Sequence, residues 1–417
     1  MIARLDIVIL GLSMRSSWGN GHATTYRALA RALRRRGHRV HFLERDAHWY
    51  AENEDAPGDL ESCIELYGSV AQLREEHADQ VAHADLVIVG SYVPDGIEIG
   101  EWVQHAAHGT TAFYDIDTPV TLAKLQRDEC DYLHPRLIAG YDLYLSFTGG
   151  PLLDTLRQRY GAHALPFYCA VDAERYVPMH VAPRYDLGYM GTYSADRQPA
   201  LQSLLIEPAR DWPAGRFAVA GPQYPREIHW PGNVQRIEHL GPDEHARFYN
   251  EQRFTLNVTR ADMVQAGYSP SVRLFEAAAC GTPIISDAWP GLATIFEPGR
   301  EILVAHEARQ VLYWLRDMPS KRRQAIGAAA RARVLAEHTA DHRAQTLERY
   351  LDRVAQRRIG SVDAMPNGRA VGPLSAGQGR ARKMYVDTST SDDAAMRAKG
   401  HGPSGCSAAA AILRRAP

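Results

Sequence analysis

An anion-binding helix start is predicted within the segment 269–287. Ser269 can cap a helix, Pro270 suits the first helical position, and the alanines at 277–279 favour helix. Gly281 then supplies a left-handed stop, and a short buried strand follows. The free N–H groups and the positive dipole end of such a helix suit a diphosphate.

Two charged side chains lie on this predicted helix. Arg273 can add a charge-assisted contact to a phosphate. Glu276 comes about two helical turns after Ser269, so its carboxylate returns to the same face and can accept two sugar hydroxyls. The alternative is that Arg273 and Glu276 merely pair with each other on the helix surface.

A loop rich in small and polar residues, 11–25, leads from an apolar run into another predicted helix. Gly19 and Gly21 can begin a dinucleotide fingerprint, but Thr24 stands at its third glycine position and the loop is too long for that tight turn. His22, at a helix start beyond a strand, is well placed as a general base. The alternative for His22 is a polar helix-start residue without a catalytic role.

Two carboxylates, Asp115 and Asp117, end a further predicted strand directly before Pro119. If the strand persists, both project the same way, where they can orient a histidine or remove a proton. Hard oxygen ligands at this spacing also suit magnesium or manganese. In the structural alternative, Asp117 caps the turn or helix that follows.

Polar residues also end three predicted strands in the second half of the chain. Gly191 permits close backbone approach, Thr192 can donate a hydrogen bond, and Arg197 offers a guanidinium suited to phosphate. The other two strands end in small or polar residues, which are Gly221, Asn257 and Arg260. The three strand ends together indicate one cleft edge, whereas any one of them alone is typical of a turn.

The elements that must position these residues alternate through both halves of the chain. Short apolar runs separated by longer amphipathic ones imply crossover units and parallel sheets covered on both faces. The pattern restarts after a proline-marked stretch at 178–183, which predicts two α/β domains, 1–180 and 181–358, facing across a cleft. The remaining residues, 359–417, have few aliphatic positions, so this tail is predicted to be mostly disordered.

Composition excludes several classes of protein. The 417 residues carry a formal charge of −2 and are 45% hydrophobic, which marks neither a nucleic-acid binder nor a membrane-surface binder. The five cysteines are scattered without zinc, redox or disulfide spacing, which predicts reduced thiols in a cytoplasmic protein. No apolar run reaches transmembrane length.

These motifs resemble those of the GT-B nucleotide-sugar glycosyltransferases, which have two Rossmann-like domains, and within them the CgeB-like, spore-maturation-type family. The resemblance rests on residues 266–276, 280–283 and 296–303, with 115–119 in the first half, and spans about residues 6–357. It implies a nucleotide-sugar donor bound mainly by the second domain, an acceptor held by the first, and transfer in the cleft.

The resemblance also suggests roles for single residues. Glu276 matches the glutamate associated with the donor ribose in retaining relatives, and Tyr268 stands where those relatives have the first glutamate of the motif. The loop 19–22 is similar to the glycine–histidine loop of inverting relatives, in which the histidine is the base and an aspartate orients it. Retention and inversion therefore both stay open. This fold class generally needs no metal, and no cofactor is expected beyond the co-substrate.

The sequence thus predicts a glycosyltransferase, hexosyltransferase-like, that moves a sugar from a nucleoside diphosphate to an acceptor hydroxyl or similar nucleophile. The candidate catalytic residues are His22, Asp115 and Asp117, the candidate acceptor-binding residues are Trp18, Asn20 and Gly21, and the candidate donor-binding residues are Gly191, Thr192, Arg197, Gly221, Asn257, Arg260, Tyr268, Ser269, Ser271, Arg273 and Glu276. One alternative is a catalytically idle nucleotide-sugar-binding assembly protein, which Tyr268 favours. The others are a nucleotide-sugar epimerase and a nicotinamide oxidoreductase.

Overall fold

Two parallel sheets, one in each half of the chain, form the frame of the molecule. The computed structural model describes residues 4–56 and 58–363. The last helix continues through residues 359–363, the first part of the predicted tail, and residues 364–417 lie outside the described residues. Among the described residues, no helix is both long enough and apolar enough to cross a membrane.

The first sheet has seven strands in the order β3-β2-β1-β4-β5-β6-β7, and every neighbouring pair is parallel. Its strands are β1 (Asp6–Gly11), β2 (Arg39–Arg45), β3 (Ile64–Tyr67), β4 (Leu86–Gly90), β5 (Thr110–Asp115), β6 (Leu143–Ser146) and β7 (Ala164–Pro166). The helices between them are α1 (His22–Arg35), α2 (His48–Ala51), α3 (Gly58–Glu61), α4 (Val70–His83), α5 (Gly96–Ala106), α6 (Thr118–Gln126), α7 (Pro135–Ile138) and α8 (Leu152–Tyr160).

The second sheet has six strands in the order β10-β9-β8-β11-β12-β13, again all parallel. Its strands are β8 (Tyr185–Met190), β9 (Phe217–Ala220), β10 (Val234–Ile237), β11 (Gln252–Asn257), β12 (Ile284–Ser286) and β13 (Leu303–Val304). The helices of this half are α9 (Gln198–Leu201), α10 (Glu207–Asp211), α11 (Pro242–Asn250), α12 (Ala261–Ala266), α13 (Val272–Ala279), α14 (Ala308–Asp317), α15 (Ser320–Glu337) and α16 (Ala340–Asp363), with a π-helical stretch at Gln202–Ile206 and a 3₁₀ turn at Leu292–Thr294.

Burial on both faces explains the sequence of the central strands. All five residues of β4, Leu-Val-Ile-Val-Gly, are buried, as are all six of β5. Helices cover a parallel sheet on both sides, so its inner strands are continuous apolar runs rather than alternating ones. The two predicted α/β sheets are therefore confirmed.

The last helix returns to the first half of the chain. Glu348 on α16 accepts hydrogen bonds from the Arg36 guanidinium and from the ring of His38, and the Tyr350 hydroxyl donates to the carbonyl of Pro166. Arg36, directly after the end of α1, therefore fastens α16 to the first sheet's helices. The boundaries at 180 and 358 stay a prediction.

Each sheet has one point where the strand order reverses, and this point fixes where a ligand binds. In the first sheet it lies between β1 and β4, and in the second between β8 and β11. The loops that leave two such neighbouring strands diverge and open a crevice beyond their carboxyl ends. Residues that follow these four strands are therefore expected among those that can contact a ligand.

Candidate active site

The crevices of the two sheets meet in one cavity of about 350 Å³. Its lining includes these predicted residues: Asn20, Gly21, His22 and Asp117 from the first half, and Gly191, Thr192, Arg197, Gly221, Arg260, Ser271, Arg273 and Glu276 from the second. The other predicted residues, Trp18, Asp115, Asn257, Tyr268 and Ser269, do not line it.

The loop after β1 is held by a buried carboxylate. Glu44, at the end of β2, accepts hydrogen bonds from the backbone N–H of Met14 (2.6 Å) and Arg15 (3.1 Å) and from the Ser13 hydroxyl (3.1 Å). Burial raises the pKa of Glu44, and these hydrogen bonds counteract part of the rise. The Glu44 carboxylate thus accepts from backbone N–H groups that a dinucleotide-binding loop offers to a pyrophosphate. This agrees with the absence of the third fingerprint glycine, whose position is Thr24.

Asn20 holds the same loop from the other side. Its amide nitrogen donates to the carbonyls of Ser13 (2.9 Å) and Ser16 (3.2 Å), and its amide oxygen accepts from the N–H of His22 (3.1 Å). Although Asn20 was predicted to bind the acceptor, its polar atoms therefore fix the start of α1. The half-buried Trp18 lies in this loop but outside the cavity lining.

His22 and Asp117 face each other at the cavity wall. His22 Nε2 lies 3.8 Å from Asp117 Oδ2, within ion-pair range but longer than a hydrogen bond. The same Asp117 oxygen accepts a hydrogen bond from the Tyr92 hydroxyl (3.1 Å). Burial alone would raise the pKa of Asp117, but His22, Arg260 and Tyr92 together lower it below its ordinary value, so Asp117 is ionised at neutral pH.

Asp115 points away from the cavity, contrary to the prediction that it projects with Asp117. Strand β5 ends at Asp115, so the alternation on which the prediction depended stops there, and Asp117 directly precedes α6. The Asp115 carboxylate accepts hydrogen bonds from the hydroxyls of Tyr144 (2.6 Å) and Thr121 (2.8 Å) and from the N–H of Asp117 (3.2 Å). Complete burial raises the pKa of Asp115 to about 6. Asp115 therefore supports the Asp117 turn and does not contact a ligand in the cavity.

Helix α13 begins two residues later than predicted. It starts at Val272, so the residue before the helix is Ser271 rather than Ser269. The Ser269 hydroxyl donates to the carbonyl of Gly267 (2.8 Å) and contacts the Thr148 hydroxyl (2.9 Å). It makes these bonds instead of capping the helix N-terminus. Ser271 and Pro270 line the cavity in its place. The helix start itself thus faces the cavity, as expected, although its capping residue was wrongly predicted.

Arg273 is fixed by the ends of two strands. Its Nε donates to the carbonyl of Met190 (2.6 Å), and its Nη1 donates to the amide oxygen of Asn257 (2.8 Å). Asn257 is completely buried and also accepts from the Ser271 hydroxyl (2.8 Å), so it holds both Arg273 and Ser271 in place. Nη2 lies beside Gly191, where an added Cβ would come within 2.9 Å of it. Only glycine at 191 leaves this nitrogen room.

Glu276 is buried and does not pair with Arg273. It is 2% exposed, and its carboxylate accepts a hydrogen bond from the Tyr249 hydroxyl (2.9 Å). The alternative of an Arg273–Glu276 ion pair on the helix surface is therefore wrong. Tyr249 and Tyr92 both line the cavity but were not predicted, because their places on α11 and after β4 become meaningful only once the strand order is known.

Two further arginines extend the cationic wall. Arg197 Nη2 donates to the carbonyl of Thr192 (2.9 Å), and Arg260 Nε lies 3.7 Å from an Asp196 oxygen. Within residues 4–56 and 58–363, the buried Nε atoms of both arginines lack a hydrogen-bond partner. Gly221 lies beside them with φ of 139°, and a Cβ there would meet the carbonyl oxygen of Gly191 at 2.2 Å. Both guanidinium groups therefore line the cavity, while their Nε atoms are buried behind its surface.

Tyr268 contacts the opposite domain rather than the cavity. Its backbone is left-handed, with φ of 50°, and its carbonyl accepts a hydrogen bond from the N–H of Gly149 (2.9 Å). Its ring lies against Gly150 and Gly291, because a Cβ on either glycine would come within about 2.5 Å of ring atoms. Tyr268 and Ser269 thus form contacts between the two halves of the chain. No group of three or more His, Cys, Asp or Glu residues within the described parts of the chain could hold a metal ion.

This chain resembles one protein family over part of its length and several solved structures over most of it. A family model described as glycosyl transferase-like matches residues 197–349, and no curated protein matches the chain. The sucrose-phosphate synthase of Thermosynechococcus elongatus is 14% identical with a TM-score of 0.62, covering 86% of this chain and 100% of its own. Anabaena HepE in complex with UDP and glucose is 14% identical with a TM-score of 0.63, covering 84% and 100%.

An alpha-glucosyltransferase solved with UDP and a DNA 13-mer is 12% identical with a TM-score of 0.62, and the match covers 84% of this chain and 100% of that one. All three likenesses extend over most of the described residues, whereas the family model covers only part of the second half. The chain therefore has the GT-B fold, with two parallel-sheet α/β domains facing across a cleft.

Proposed function

We propose that this chain is a glycosyltransferase that moves a sugar from a nucleoside diphosphate sugar to an acceptor hydroxyl. The observation that supports it most strongly is one cavity lined by three arginines from the second half of the chain and by a histidine–carboxylate pair from the first. The glycosyl transferase-like match over residues 197–349 covers the arginine wall. The finer features proposed with it are a CgeB-like family, a hexosyl donor and a cytoplasmic location.

The arginine wall suits the leaving diphosphate. As the bond between the sugar C1 and the diphosphate oxygen breaks, that oxygen keeps the bonding electron pair and gains negative charge. Arg273 and the start of α13 are already oriented before this charge appears, so they stabilise it without reorganisation. Arg197 and Arg260 add donors from the loops after β8 and β11. We propose that these guanidiniums do without a metal ion what Mg²⁺ does elsewhere.

Glu276 is proposed to hold the nucleotide ribose. It lies one helical turn beyond Arg273 on α13, and it also lines the cavity. The Tyr249 hydroxyl occupies one carboxylate oxygen, while the carboxylate has further lone pairs for ribose hydroxyls. UDP is present in the HepE and alpha-glucosyltransferase structures, so uridine diphosphate sugars are the first donors to test.

The acceptor proton is proposed to pass to the His22–Asp117 pair. The new bond forms between C1 and the acceptor oxygen, and the hydroxyl proton leaves to this pair at the wall of the first domain. The proton goes to His22 Nε2 or to an Asp117 carboxylate oxygen, because His22 Nδ1 is buried. The formal charge of −2 argues against nucleic acid as the acceptor, although one structural neighbour was solved with DNA.

Two variants of this pair test the proposal. His22→Ala and Asp117→Asn should each lower donor turnover by about 10²- to 10⁴-fold, the usual contribution of general acid–base catalysis. Binding of the nucleoside diphosphate should be unchanged in His22→Ala, since His22 does not belong to the arginine wall, whereas Asp117→Asn also removes a charge that interacts with Arg260. His105→Ala is the matched control, because this exposed imidazole contacts only a carbonyl of its own helix α5 among the hydrogen bonds seen. Full turnover in both variants would show that neither His22 nor Asp117 is the catalytic base.

The rival function is a catalytically idle nucleotide-sugar-binding protein. The observation in its favour is Tyr268, which contacts Gly149 and Gly150 and leaves the sugar without the first glutamate of retaining relatives. Nucleotide binding without hydrolysis, transfer or epimerisation of any donor would support this rival.

A further inference from the structure

Tyr92 has a backbone conformation that few aromatic residues adopt. It follows β4 at the reversal point of the first sheet, and its φ is 65°. The left-handed region is unfavourable for a residue with a bulky Cβ substituent, and such outliers persist only where surrounding contacts determine them. The side chain is 3% exposed, so these contacts can be identified.

Three side chains fix the Tyr92 ring. Its centroid lies 4.6 Å from that of Tyr132 and 5.4 Å from that of His22, and the Lys124 ammonium lies 5.0 Å from it. A cation at this distance from an aromatic ring is attracted by its electron-rich face. The packing aims the phenol at the cavity wall, where its hydroxyl donates to Asp117 Oδ2 at 3.1 Å.

Asp117 is therefore contacted from several elements at once. His22 approaches from α1, Arg260 acts from the start of α12, and the Asp117 N–H is held by the buried Asp115 carboxylate behind it. Of these groups, Tyr92 makes the shortest contact to Oδ2, the oxygen that also faces His22 Nε2. Without this hydrogen bond, the Asp117 side chain can rotate away from the histidine.

We infer that Tyr92 is a positioning residue for sugar transfer, whose hydroxyl holds the Asp117 carboxylate in line with His22. This inference rests on the proposed function only for its catalytic consequence. The contact and the strained backbone are features of the first domain whatever the reaction. Tyr92 is not itself required to contact the acceptor oxygen.

The test compares Tyr92→Phe with Tyr132→Phe. Both remove one buried phenol hydroxyl from the same aromatic pair, but the Tyr132 hydroxyl contacts Thr121 instead of Asp117. Tyr92→Phe should lower kcat for donor turnover about tenfold, the usual scale for a lost hydrogen bond to a charged group. KM for the donor should not change, and Tyr132→Phe should keep the wild-type kcat. An unchanged kcat in Tyr92→Phe, or an equal fall in the two variants, would overturn the inference.

A second measurement needs no activity. The carboxyl carbon of Asp117, labelled with ¹³C and identified by its loss in Asp117→Asn, reports the pKa of this group directly. Because the Tyr92 hydrogen bond helps to lower the pKa of Asp117, Tyr92→Phe should move the titration to higher pH. An unmoved titration would overturn the inference. If the wild type turns over no donor but the titration moves as expected, the proposed function fails while the contact stands.

Discussion

Replacement of Arg273 perturbs the donor wall at its centre. Arg273 is 7% exposed, and its guanidinium makes two hydrogen bonds to strand ends, one to the Met190 carbonyl and one to Asn257 Oδ1. These bonds leave Nη2 beside Gly191, on the cavity side. Loss of the side chain therefore removes a preoriented positive charge and two hydrogen bonds, although Asn257 Oδ1 keeps its bond from the Ser271 hydroxyl.

The two effects have different sizes and appear in different measurements. A preoriented donor that stabilises charge in the transition state contributes about 10²- to 10³-fold in kcat, roughly 3–4 kcal/mol. Each lost hydrogen bond to the charged guanidinium costs about 1.5–3 kcal/mol of folding stability, so Arg273→Ala should also lower the melting temperature. Arg273→Lys keeps the charge but cannot donate to both acceptors in the same planar geometry. Its kcat should fall less than that of the alanine variant.

Turnover and melting temperature should be measured together for both variants. Arg331→Ala is the matched control, because Arg331 donates to the Ala279 carbonyl at the far end of the same helix and does not line the cavity. We expect the control to lose some stability and to keep its kcat. If Arg273→Ala is folded and retains wild-type kcat, the leaving-group role of this arginine is refuted.

Two further predictions concern buried carboxylates. Glu276→Gln should reduce the preference for ribonucleoside over 2′-deoxyribonucleoside diphosphates by about tenfold or more in a binding titration, since a hydroxyl bonds more strongly to a carboxylate than to an amide; an unchanged ratio would exclude Glu276 from ribose binding. Burial raises the pKa of Asp115 from 3.8 to about 6, so the folded protein holds this proton more tightly than the unfolded chain does. The resulting stabilisation of the fold is complete below pH 3.8 and is lost as the pH rises through 6, by about 3 kcal/mol in total. Asp115→Asn should therefore gain melting temperature relative to the wild type between pH 4 and pH 7, and a constant difference across that range would contradict the raised pKa.

Much of the architecture could be predicted from local patterns. Apolar runs such as those of β1 and β4 are buried on both faces, and this burial is what distinguishes them in the sequence. Glycines were likewise predictable where the backbone requires them. Gly281 after α13 has a positive φ, and a Cβ at Gly191 or Gly221 would come too close to neighbouring atoms.

The errors arose where contacts distant in sequence override local preference. Ser269 is a good capping residue, but its hydroxyl contacts Thr148 of the other domain, so the helix begins later. Asp115 was expected beside Asp117 because strand alternation was assumed to continue past the last hydrogen-bonded residue of β5. Tyr92 has no motif around it, and its role depends on the reversal of strand order between β1 and β4.

Consumption of a nucleoside diphosphate sugar by the purified chain decides whether it is a glycosyltransferase. The purified chain would be incubated with uridine diphosphate glucose and a panel of other nucleoside diphosphate sugars, with and without a mixture of hydroxyl acceptors, and the released nucleoside diphosphate would be measured. We predict that the wild type consumes at least one donor and that Asp117→Asn consumes it at least about 100-fold more slowly. Nucleoside diphosphate binding without consumption of any donor, or equal consumption by the two proteins, would contradict it.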